Sequence, residues 1–252
     1  MKTTPFAATL VVALSLSAAA QKPLVSRHSA GNPSAQAGPA IQVPPPLCDP
    51  CLFYGGDLSP SDPNANGLSD ENTLLYSNNV TYGNFNVPSG LSITVTGVLV
   101  NVQADANFDP LMANYDVRQG VSEGNGGTDL ATGTVSATVA PTGRTFLGFQ
   151  EYTVAVNLTT PLVLGAGNYW FNVTPECLNG ATDGSCSVGR FFASNVTGRT
   201  NSIHGAGESN HEMFLNSPFF GITWANWCDS FLGLNGQACN GLSFGLMGTI
   251  AP

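Results

Sequence analysis

Residues 92–102 (Ser-Ile-Thr-Val-Thr-Gly-Val-Leu-Val-Asn-Val) alternate along the chain, with Ile93, Val95, Gly97 and Leu99 on one face and Thr94, Thr96, Val98 and Val100 on the other. A period of two marks a strand with one face turned to a core. The segments 134–140, 152–158, 169–173 and 243–248 carry the same pattern. Between them lie turn formers: Pro88-Ser89-Gly90, Gly124-Asn125-Gly126-Gly127, Pro141-Thr142-Gly143 and Gly165-Ala166-Gly167-Asn168. Beyond residue 20 no window holds a helical period. Short strands at this spacing predict an all-β fold, an antiparallel β-sandwich wound in jelly-roll fashion, because a half-apolar sheet must bury one face against another sheet.

The first twenty residues follow a different rule. Lys2 precedes an apolar run, and Ala18-Ala19-Ala20 before Gln21 supplies the small residues a signal peptidase accepts. We read 1–20 as a signal peptide and 21–47, rich in Pro, Ala and Ser, as a disordered spacer. That leaves 48–252 as a single domain. The apolar run is too short to span a bilayer, and none of that length follows, so the sequence predicts a secreted, extracellular protein with no integral membrane segment.

Composition narrows the partners. Charged residues make up 9% of the chain and the formal net charge is -9. Lysine is absent after Lys22, and the domain's cations are Arg118, Arg144, Arg190 and Arg199, each alone in its segment. Nucleic acid is therefore excluded as an expected partner, since it requires clustered cations. Carbohydrate or another extracellular protein remains.

Six cysteines in an exported chain suggest three bridges, and spacing favours local ones: Cys48 with Cys51, Cys177 with Cys186, Cys228 with Cys239. Cys48-Asp49-Pro50-Cys51 also has redox and zinc-knuckle spacing, but neither a βαβ pattern nor a second pair accompanies it.

One segment reads as metal chemistry. In 61–72, Asp62, Asn64, Asn66, the Leu68 carbonyl and Asp70 fall at positions 1, 3, 5, 7 and 9 of a calcium-loop template, with Gly67 at the sharp turn. Position 12 is Thr73 rather than glutamate, leaving Glu71 or Asp57 as substitutes. The competing reading is a surface loop whose Asp and Asn side chains bond their own backbone. No cofactor is required on this reading, and structural Ca2+ is the one the residues would accept.

Other candidates carry less. His204, Glu208, His211 and Glu212 cluster, but Leu215 stands where an HExxH motif needs its second histidine. Glu123, Glu151, Glu176 and Glu212 offer carboxylates for a glycosidase without any pairing signal. Trp224 and Trp227, with Phe219, Phe220 and Phe231 near them, either form a sugar-stacking surface or pack inside. The sequons at Asn79, Asn157, Asn172 and Asn195 read as ordinary strand and loop sequence.

Several longer motifs carry a resemblance. Phe53-Tyr54-Gly55-Gly56-Asp57, the segment from Ser122-Glu123-Gly124-Asn125-Gly126-Gly127, and Gly167-Asn168-Tyr169-Trp170 are among them. With Phe85-Asn86-Val87-Pro88 and the closing Leu242-Ser243-Phe244-Gly245, they make nearly the whole domain resemble a group of exported bacterial β-sandwich proteins. The resemblance implies fold and export, and it implies no activity. The expected function is a secreted non-catalytic module with a structural, adhesive or surface-associated role. A carbohydrate-binding module is the alternative, and an extracellular hydrolase the second alternative.

Overall fold

The structure, a computed structural model, describes residues 51–58, 67–74, 76–105, 108–178, 191–196, 212–227 and 241–251. The signal and spacer segments, and Cys48, Cys186, Cys228 and Cys239, lie outside the described residues. The early strands are β1 (Phe53–Tyr54), β2 (Gly67–Ser69), β3 (Asn72–Thr73), β4 (Val80–Val87) and β5 (Ser92–Ala104). Four long ones follow: β6 (Met112–Gln119), β7 (Thr128–Phe146), β8 (Phe149–Leu164) and β9 (Gly167–Cys177). The last are β10 (Phe191–Val196), β11 (Met213–Ser217), β12 (Ile222–Asn226), β13 (Gly241–Leu242) and β14 (Phe244–Ala251), with a 3-10 helix at Pro218–Phe220.

The described residues are thus nearly all strand, and the pairing is antiparallel except between β3 and β9. The main path runs β1-β14-β5-β8-β7-β6-β9-β4-β11-β12. β7 is long enough to serve both halves of that path. Its first part, Thr128 to Ser136, pairs with β6, and its second, Ala137 to Phe146, pairs with β8. The path folds back there, so that its halves lie face to face. Tight corners at 88–91 and 165–166 carry β4 into β5 and β8 into β9, and the two corners are neighbours: Val87 pairs with Gly167, Ile93 with Leu164.

The facing surfaces make the core. Val98, Val100, Val102, Val154 and Val156 come from one layer, and Phe85, Val117, Phe171 and Val173 from the other. Rings close the gap, with Phe85 5.1 Å from Phe53 and Phe171 6.0 Å from Phe244 between centroids. β-branched residues suit the pleated layers, and each large side chain fully buried contributes roughly 1.5–3 kcal/mol.

Two local expectations need correction. In β5 the faces change partway, so that Ile93 and Val95 share the core with Val98, Val100 and Val102, while Leu99 faces outward against Ala155. The cause is a bulge between Val95 and Gly97, which adds a residue and resets the alternation. Glycine suits the crowded spot where the bulge ends, since a Cβ on Gly97 would collide with the Met247 methyl and the Val156 carbonyl. Pro141-Thr142-Gly143 is also not the end of a strand. It is an irregularity inside β7, between the paired residues Pro141 and Thr145, where a residue without an N–H is tolerated.

The open side of the two layers carries a strap. β2 pairs with β10, which pairs with β5 in one layer, and β3 pairs with β9 in the other. The segment 67–73 therefore links both layers, with Asp70 at its middle. Cys51 and Cys177 carry no free thiol. Among the described residues no helix is long and apolar enough to cross a membrane.

Candidate functional site

The outward face of β5 and β8 is polar and yet buried. Asn101, Glu151 and Thr153 project there, and Tyr54, Asp57 and Ser243 lie over them. Asn101 Nδ2 donates to Tyr54 Oη at 2.9 Å and to Ser243 Oγ at 2.8 Å, and Thr153 Oγ1 donates to Asn101 Oδ1 at 2.7 Å. Tyr54 Oη donates to Asp57. Arg144, from the far end of β7, donates through Nε to Glu151 and meets Asp57 at 3.0 Å through Nη1. Burial, and then the charge of Asp57, push the Tyr54 hydroxyl well above its usual pKa. Burial works against the Arg144 charge, but the carboxylates of Glu151 and Asp57 outweigh it and hold the guanidinium protonated. The network fastens the segment after β1 onto the sheet. It also holds Asp57 against Tyr54 and Arg144.

Asp70 sits where β4 and β9 separate. Their pairing covers Gly83 to Val87, and beyond it the Asp70 carboxyl supplies the missing bonds. Its Oδ1 accepts from Thr81 N at 3.2 Å, Asn172 Nδ2 at 2.9 Å and Thr174 Oγ1 at 2.8 Å. Its Oδ2 is buried with no hydrogen-bond partner. Burial raises the Asp70 pKa to about 7, against the pull of those three donors, and the nearby Glu71 charge adds a little. Glu71 itself is buried and accepts from Ser69 Oγ at 2.6 Å.

Of the expected calcium set, Leu68 and Asp70 are buried on the strap, and Asp62, Asn64 and Asn66 lie outside the described residues. Among the described residues no group of three or more His, Cys, Asp and Glu side chains converges as a metal cluster. The Asp70 Oδ2 would accept a cation, since a buried carboxylate oxygen needs a donor or a positive charge. Among the described residues Asp57, Asp116 and Glu151 also bury an oxygen that takes no hydrogen bond, but each of them lies against an arginine.

A third cluster involves the tryptophans. Trp224 is 9% exposed and Trp227 1%, so neither offers a free ring face for stacking. Trp224 packs 4.8 Å from Tyr82 and under the Arg118 guanidinium, also 4.8 Å away. Its backbone is left-handed at φ 44°, rare for a bulky residue and costing roughly 1–3 kcal/mol. Gly126 makes room, since a Cβ there would lie 2.5 Å from the indole. Arg118 also bonds Asp116 at 2.6 Å and the Gly126 carbonyl at 3.0 Å. Burial keeps the Asp116 carboxyl above its usual pKa even with Arg118 and Tyr82 donating to it. Gly124 N donates to Trp224 O at 3.0 Å and Asn226 N to Glu123 Oε2 at 2.6 Å, so the turn at 122–126 covers the edge of β12.

The expected carboxylate candidates are occupied in separate places: Glu123 at that edge, Glu151 with Arg144, and Glu176 with Asn72 and Asn114. Glu212 precedes β11, and His204, Glu208, His211 and Phe231 lie outside the described residues. Of the sequon asparagines, Asn79 and Asn172 are buried and hydrogen-bonded, Asn157 is exposed, and the Asn195 side chain is outside the described ones.

The exposed ring is Phe219 on the 3-10 helix, packed against the half-buried Phe220 and against the half-buried Tyr76 of the turn at 76–79. Phe219 is 46% exposed and Leu74 70%. Phe219 meets Tyr76 edge-on at 5.2 Å and Phe220 at 4.9 Å. Polar bonds brace both segments. Ser217 Oγ donates to Asn79 Oδ1 and accepts from Phe220 N at 3.2 Å, Thr73 Oγ1 accepts from Tyr76 N at 2.9 Å, and Asn72 Oδ1 accepts from Asn78 N at 3.2 Å. Phe219 and Phe220 stood out in the sequence only as neighbours of the tryptophans. Tyr76 did not, because most of the domain separates it from its partners along the chain. No family model, curated protein or solved structure matches the chain.

Proposed function

We propose that the chain is a secreted, non-catalytic β-sandwich module of jelly-roll type that works by adhesion, through the ring cluster of Tyr76, Phe219 and Phe220. The jelly-roll reading draws on the nested pairing of β4 with β9, β5 with β8 and β6 with β7, the order of a long hairpin wound over itself. Local disulfides of Cys51 and Cys177 with Cys48 and Cys186, and a third between Cys228 and Cys239, belong to the same reading.

One observation carries the adhesive role. The most exposed aromatic side chain of that cluster is held by hydrogen-bonded turns rather than by a core behind it, so the rings are presented at little entropic cost. Exposed apolar clusters of this kind mark contact surfaces. Self-association through β12 is disfavoured, because Glu123 and Gly124 already occupy its edge. Labelled protein is expected to adhere to insoluble extracellular material, such as polysaccharide gels or collagen films. Phe219→Ala should cut the bound fraction at least fivefold while leaving the melt within about 2 °C, since exposed positions contribute little stability. Adhesion that survives this substitution would move the contact surface elsewhere.

We also propose structural calcium on the loop of Asp62, Asn64, Asn66, Leu68 and Asp70, supported by the partnerless Asp70 oxygen. At an extracellular-type affinity of about 0.1–1 mM, 10 mM calcium adds about 2 kcal/mol, or roughly 5 °C in the melt. EDTA should reverse the gain and Asp62→Ala abolish it. A melt indifferent to calcium in the unsubstituted protein would remove the site.

A further inference from the structure

We propose that Tyr76, Phe219 and Phe220 form a stacking platform for a neutral saccharide chain. The assignment rests on the adhesive reading and names the chemistry of its partner. A pyranose ring has a C–H face that packs on an aromatic face and hydroxyls around its rim that need neutral donors and acceptors. The structure supplies both. Phe219 stands at 88° to Phe220 and at 69° to Tyr76, while Tyr76 and Phe220 lie stacked at 29° to each other, so the cluster has two ring orientations, as a bent chain of sugar rings would require.

The surroundings select against charged partners. Residues 74–80 and 216–226 contain no Asp, Glu, Lys or Arg. Ser77, Asn78 and Thr223, close to the rings along the chain, are exposed and offer hydroxyl and amide groups. An anionic lipid or a sulfated glycan would find no cation here, and a basic peptide no carboxylate. The two segments are also fixed before anything binds. Gly221 closes the 3-10 helix in left-handed backbone at φ 67°, its N–H bonded to Pro218 O, and Asn79 pairs through its backbone with Glu71 on the strap.

The test uses the full chain on an array of neutral, sulfated and uronate glycans, followed by calorimetry with cellohexaose, chitohexaose, mannohexaose and a proline-rich peptide. Neutral glycans are expected to bind, unaffected by 0.5 M NaCl, with at least tenfold loss in both Phe219→Ala and Tyr76→Ala. Phe219→Trp should retain binding, which separates loss of a ring from loss of fold. Adhesion to collagen with no glycan binding would overturn the saccharide assignment and leave the adhesive reading standing. Failure of every adhesion assay would overturn both. Preference for the peptide or for anionic glycans, or glycan binding unchanged in the two alanine variants, would also overturn the assignment.

Discussion

Arg144→Ala is expected to destabilise the protein by about 3 kcal/mol, the low end for breaking a buried ion pair because the guanidinium is partly exposed. For a domain of this size that corresponds to a melt lowered by roughly 10 °C. The reason lies in what remains. Glu151 has a fully buried side chain and Asp57 a nearly buried one, and without Arg144 both carboxylates lose the cation that bridges them. Adding Glu151→Gln should recover a good part of the loss, because the more deeply buried of the two stranded charges is then gone. Urea titrations of the three proteins measure this directly. A single-variant loss below about 1 kcal/mol, or no recovery in the double variant, would show that water screens the network.

Asp70→Asn should produce the largest pH effect. The folded-state pKa of Asp70, about 7, lies above its unfolded value, so the folded form binds more protons between the two. The stability linked to this carboxyl is complete below about pH 4 and is lost as pH rises to about 7, where it levels off. Three pKa units correspond to a loss on the order of 4 kcal/mol. In EDTA, the Asp70→Asn variant should therefore be more stable than the unsubstituted protein at pH 8.5, and the difference should vanish near pH 4. Parallel stability curves from pH 4 to 8.5 would show that Asp70 is not the buried acid described. Other carboxylates also titrate in this range, which is why the difference between the two proteins, and not either curve alone, is the measurement.

Much of the β architecture was legible from a period of two. The strand at 92–102 was readable, and so were the corners at 88–91 and 165–166, because Gly and Pro mark chain reversal locally. Its faces were not, since the bulge at Gly97 comes from pairing with β8 and β14. Tyr169 and Phe171 turned inward while Trp170 turned out, as alternation requires, yet Trp170 is buried too, because Tyr82, Phe214 and Trp224 cluster with it on that outer face. The Arg144 network was hidden for a simpler reason. Asp57, Glu151 and Ser243 meet only after folding, and the one local signal was that a lysine-free domain spends each arginine singly. The calcium pattern gave Asp70 its chemistry but not its burial.

The pairing of β1 with β14 has a consequence for how the chain acquires its structure. Phe53 faces Leu246 and Tyr54 faces Gly245, so the first and last strands described are neighbours, and β14 also completes one side of β5. Contacts this distant in sequence bear the full entropy of closing a long loop before any bond rewards it. A chain emerging from its N-terminus keeps that side of β5 unfinished until residues 244–251 arrive. Slow, late assembly is the expected result, and the interval before β14 docks is when β5 offers an open edge to another copy of the chain.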